Sequence, residues 1–122
     1  MEKSQKEKPY DLKDRTFLFA KRAFSYFKSL SRNTVNIEVS KQGIRASGSV
    51  GANFIEANEA FSRKDFLMRV KICRKEVKEA IYWLRLSELG EEHEHKKTEL
   101  IDEATELMKI FGSIVEKSKN KI

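Results

Sequence analysis

Residues 62–89 read SRKDFLMRVKICRKEVKEAIYWLRLSEL, and they decide the fold. Apolar side chains recur at Phe66, Val70, Cys73, Val77, Ala80, Ile81 and Leu84, the three-and-four spacing of a helix buried along one stripe. Ser62 followed by Asp65 resembles a capping box, with Asp where Glu or Gln is commoner, and Gly90 stands where a helix C-cap glycine belongs. The spacing predicts a helix over residues 63–89.

The same period appears on both sides. Upstream, Leu12, Thr16, Phe19, Ala23, Phe27 and Leu30 predict a helix over residues 11–31. Val39, Gly43, Ala46, Val50, Asn53 and Ala57 predict a second helix of small residues, with Gly48 and Gly51 as candidate kink positions. Downstream, Leu100, Ile101, Ala104, Leu107, Met108, Phe111 and Val115 predict a helix over residues 94–116. No strand pattern competes. Short connections force consecutive helices to lie side by side, so the fold class is all-α, an antiparallel up-and-down four-helix bundle.

With 122 residues and one proline the chain is the size of one domain, expected over residues 11–117. Residues 1–10 hold little to bury and are expected to be a disordered tail, and residues 118–122 a frayed end. A lone cysteine, Cys73, excludes an intramolecular disulfide. No apolar run is long enough to cross a membrane and no signal-peptide pattern is present, so a cytoplasmic protein is expected.

Charge is unevenly distributed. The net charge is +6, yet residues 11–33 and 62–89 each carry +4, while the other two helical segments are slightly acidic. On a helical wheel Lys64, Lys71, Lys75, Lys78, Tyr82 and Arg85 lie opposite the buried stripe, cations with an aromatic for base stacking. This face is the candidate nucleic-acid-binding surface; a solvated lysine-rich face is the plainer reading. Phe17 and Phe24 flank the first stripe, and Met68, Ile72 and Trp83 flank the third. A bundle of this size does not require them in its core, so they predict a homo-oligomer interface.

Candidate chemistry is sparse. Glu91, Glu92, His93, Glu94 and His95 include metal-ligand types, but consecutive residues converge poorly, and an acidic turn before a helix explains them better. Cys73 falls on a buried stripe, where it packs rather than reacts. No phosphate loop, nucleophile elbow, di-iron motif or zinc-protease motif is present, so neither catalysis nor a cofactor is expected. Asn53 lies on the inward side of the second helix with Glu56 one turn on, and Arg45 and Ser49 are candidate partners for a polar network.

The run Arg45-Ala46-Ser47-Gly48-Ser49-Val50-Gly51-Ala52-Asn53-Phe54-Ile55-Glu56-Ala57, continued by Asp65-Phe66-Leu67, Lys75-Glu76, Glu79 and Tyr82-Trp83-Leu84, resembles the signature of a known family. That family comprises four-helix bundles encoded in intervening sequences of bacterial 23S ribosomal RNA genes. Its members often have glycine where this chain has Ala57. The resemblance implies a homopentameric ring and a role with RNA, with Arg45, Ser49, Asn53 and Glu56 as structural signature positions. The wider group includes the accessory protein of diversity-generating retroelements, so it also implies an alternative partner, a reverse transcriptase or another protein. It supplies no catalytic residue.

Overall fold

Three of the four helices start where a side chain takes up an orphan backbone N–H. Asp11 accepts from the Lys13 N–H, Asn33 from the Asn36 N–H and Ser62 from the Asp65 N–H. The computed structural model describes residues 11–88 and 90–120, so the expected tail over residues 1–10 lies outside the described residues. Four helices follow in order: α1 (Leu12–Ser29), α2 (Thr34–Asn58), α3 (Arg63–Leu86) and α4 (Glu94–Asn120). A short 3-10 turn, Glu91–His93, precedes α4.

Connections of a few residues turn each helix back beside its predecessor. α2 packs most extensively on α3, α3 on α4 and α1 on α2, and α4 closes more lightly against α1. The result is the expected four-helix bundle, with α1 diagonal to α3 and α2 diagonal to α4.

The four stripes read from the sequence form its core. Phe19, Ala23 and Phe27 of α1 meet Val39, Ala46 and Val50 of α2, Val70, Cys73, Val77 and Leu84 of α3, and Leu107, Phe111 and Val115 of α4 in one buried cluster. Burying each valine, leucine or phenylalanine among them stabilises the bundle by about 1.5–3 kcal/mol.

Three boundaries differ from expectation. α1 ends at Ser29 and α4 continues to Asn120, past Glu116. α3 stops at Leu86, and its cap is Ser87 rather than Gly90, which instead precedes the 3-10 turn. The cause is a side-chain network. Ser87 Oγ donates to the Leu84 carbonyl at 2.6 Å and bonds the buried Tyr26 hydroxyl at 2.7 Å. A chain leaving the helix this way requires no left-handed glycine.

Asn36 locks the same end of the bundle. Its amide donates to the carbonyls of Ser31 and Glu88, and its carbonyl accepts from the Glu88 N–H. One buried side chain thereby fixes two connections. At the α1/α4 seam Arg15 forms a two-pronged pair with Glu103, at 2.7 and 3.0 Å.

α2 is a continuous helix through Gly48 and Gly51, without the kink those residues allow. Its glycines serve close approach to α1. The Phe27 ring occupies the volume that a Cβ at Gly43 would need, and Thr16 Oγ1 would lie 2.9 Å from a Cβ at Gly51. Gly112 of α4 differs, because a Cβ there would meet only Arg74, at an ordinary 3.8 Å.

These environments predict opposite signs for one substitution. Gly112→Ala gains helix propensity and should stabilise the bundle by about 0.5–1 kcal/mol. Gly43→Ala gains the same propensity but displaces Phe27, and overpacking of that kind costs about 1–3 kcal/mol. Urea unfolding should move the two midpoints in opposite directions at constant m.

Candidate nucleic-acid interface

The wheel reading of α3 holds in three dimensions. Lys64, Lys71, Lys75, Lys78, Tyr82 and Arg85 are all exposed. Lys64, Lys71, Lys78 and Arg85 recur every seven residues, a spacing that keeps them nearly in line and makes a row about 32 Å long at 1.5 Å per residue. Among the described residues no carboxylate pairs with these four side chains, so their charge is available to a partner. Lys75 differs, with its Nζ 3.6 Å from Glu76 Oε2. Tyr82 is 57% exposed and packs edge-on against Trp83, ring centroids 5.0 Å apart, which leaves most of the phenol in solvent.

A polar ladder between α2 and α3 holds this face in register. Asn53 donates to the Ser49 carbonyl at 2.9 Å and accepts from Arg69 at 3.0 Å. Cys73 Sγ donates to the Val50 carbonyl, and Arg45 lies 3.8 Å from Glu79. The expected network is therefore present around Asn53 and Ser49, but its cation is Arg69 in place of Arg45. Glu56 is exposed and takes no part; its angular offset from Asn53 carries it to the solvent side. Glu76 is buried beside this ladder, and its Oε1 has no hydrogen-bond partner among the described residues. The spacing from Asn53 contains no signal for Arg69, which comes from the facing helix.

The five apolar residues expected at an interface divide into two groups. Phe17 is 61% and Met68 51% exposed. Phe24 lies over Gly48, and Trp83 packs against the core, while Ile72 is half-buried. Phe17 instead borders a groove of about 610 Å³ between α1 and α2, whose lining includes Gly48, Gly51, Ala52 and Ile55. Phe61, at the α2–α3 turn, is wholly exposed and did not stand out in the sequence because it follows no stripe.

The acidic turn before α4 brings no ligand set together. His95 Nε2 lies 3.0 Å from Glu99 Oε2, and His93 faces the edge of Tyr26. Among the described residues no group of three or more His, Cys, Asp or Glu side chains converges. No described helix is long and apolar enough to cross a membrane.

The profile of the 23S rRNA-intervening sequence protein family matches residues 8–113. The chain belongs to that family. A solved structure from Bacteroides thetaiotaomicron, described as a protein with unknown function from the S23 ribosomal protein family, is 31% identical. It superposes with a TM-score of 0.72, covering 86% of this chain and 98% of its own. No curated protein matches the sequence.

Burial pushes the Cys73 thiol up to about 12, the largest influence being loss of solvent around the thiolate. Cys73 should therefore resist a thiol-specific disulfide reagent near pH 8 in the native protein and react promptly in denaturant. Rapid labelling without denaturant would show that the α2/α3 seam opens locally.

Proposed function

We propose that this 23S rRNA-intervening sequence protein binds RNA without catalysing a reaction, using the outer face of α3. The observation that carries this reading is the unpaired row Lys64, Lys71, Lys78 and Arg85 on one rigid helix. Lysine and arginine side chains at that spacing neutralise phosphates and release counterions, whatever the sequence of the strand. Tyr82, exposed within the row, supplies a ring on which an unpaired base stacks. The family's name supports RNA as the partner.

Self-association belongs to the same reading. Exposed Phe17, Ile55, Met68 and Phe61 leave more large apolar surface than a bundle of this size requires in isolation. A homopentameric ring is the assembly we favour, in the cytoplasm, with the α3 row left facing solvent. The alternative is an adaptor for a reverse transcriptase or another protein; it would place binding energy in Phe61 and Met68 instead of the cations.

The test is a triple variant, Lys71→Glu, Lys75→Glu and Lys78→Glu, in fluorescence anisotropy with a 23S-derived RNA hairpin. Affinity at moderate salt should fall at least about tenfold, with helicity by circular dichroism unchanged. Unchanged RNA affinity would remove α3 from the interface and favour the adaptor.

A further inference from the structure

The second positive segment is not part of the α3 face. From Thr16 to Asn33 the chain carries Lys21, Arg22, Lys28 and Arg32 and no acidic residue. All four cations are exposed, whereas Arg15 is occupied by Glu103 across the α1/α4 seam. Lys21 rests over the Phe17 ring at 5.8 Å, which holds its ammonium near the helix surface.

Two grooves flank this part of α1, and each adds a cation from the neighbouring helix. The α1/α4 groove, of about 470 Å³, is lined by Lys21, Arg22 and Ser25 with Lys96 opposite. Glu99 also lines it, but its carboxylate lies against His95. The α1/α2 groove, of about 300 Å³, is lined by Lys28 and Arg32 with Lys41 opposite. A polyanion following α1 thus meets positive charge on both sides of the helix as well as along it.

α1 is diagonal to α3, so this surface and the α3 row face away from each other. The helices between them do not continue the positive charge: α4 is slightly acidic and exposes Asp102 and Glu106, and α2 is neutral, with Glu38 and Glu56 against Lys41 and Arg45. A single strand wrapping the bundle would have to cross one of these helices without net attraction. Two strands on opposite faces would not. The bundle is roughly 24 Å thick along that diagonal, from interaxial distances of 8–10 Å and the width of a helix with its side chains. That exceeds twice the Debye length of about 10 Å at 0.1 M salt, so repulsion between two bound backbones is largely screened.

We propose that the α1 face is a second nucleic-acid-binding surface, and that one bundle bridges two RNA segments. This rests on the reading of α3 as an RNA-binding face and adds the opposite face to it.

The experiment is a bridging assay. One copy of the 23S-derived hairpin is immobilised, and capture of a second, fluorescent copy is measured with wild-type protein and with Lys21→Glu, Arg22→Glu and Lys28→Glu combined. Wild-type protein should capture the second hairpin. The variant should still bind one hairpin through α3 but lose capture of the second by at least about tenfold. The corresponding Gln variant, which removes charge without reversing it, should show the same loss in direction with helicity unchanged. Capture by both variants at the wild-type level would overturn the proposal, because α3 faces of an oligomer would then suffice. Wild-type protein that binds one hairpin and captures no second would also overturn it while leaving the α3 reading intact. Wild-type protein that binds neither would remove both.

Discussion

The short connections between helices are the constraint on which the rest of this molecule depends. Residues 30–33 and 59–62 leave no room for a helix to do anything but reverse beside the one before it. Sequential neighbours become spatial neighbours, and the two helices that carry the excess positive charge, first and third in the chain, fall on opposite corners. Placed side by side they would repel. On the diagonal, each faces solvent with a neutral or weakly acidic helix on either hand.

Such tight turns tolerate little slack in the packing, and two kinds of contact remove it. Glycine and threonine at the α1/α2 crossing let Phe27 and Thr16 press against the α2 backbone, so neither helix can rotate without a clash. At one end of the bundle, Asn36 bonds backbone groups of Ser31 and Glu88, and Ser87, held by Tyr26, bonds the Leu84 carbonyl, so that backbone groups of the α1–α2 and α3–α4 connections are not left bare. A buried unpaired group costs roughly 1–3 kcal/mol, a large share of the stability of a small domain. The positions of the surface cations are thus consequences of interior geometry, since α3 cannot turn its lysine row inward while Asn53 holds Arg69 and Cys73 meets the Val50 carbonyl.

Helical period made most of this legible in the sequence. Val70, Cys73, Val77 and Leu84 could be assigned to the core because periodicity is a property of one helix and requires no knowledge of its neighbours. The same holds for the outward cations of α3. What escaped the sequence was pairwise. Arg69 sits on Asn53, Ser87 on Tyr26 and Glu103 on Arg15 only because separate helices align at a particular height, and no spacing within one helix encodes that. Gly90 was misleading for a related reason: a glycine after an apolar run is a local cue, whereas the stop at Leu86 is enforced by Tyr26, far away in the chain. Glu56 shows the limit of the wheel itself, where an offset of less than a quarter turn separates a half-buried residue from a solvated one.

Phosphate neutralisation by an ordered row of cations is the central claim about function, and its signature is dependence on salt. The most direct measurement is the affinity of the wild-type protein for an RNA hairpin across a series of salt concentrations. Engagement of Lys64, Lys71, Lys78 and Arg85 predicts that log K falls linearly with log salt, with a slope of about −3 to −4. An affinity indifferent to salt, or no binding at low salt, would contradict the account and leave the positive faces as solvated helix surface.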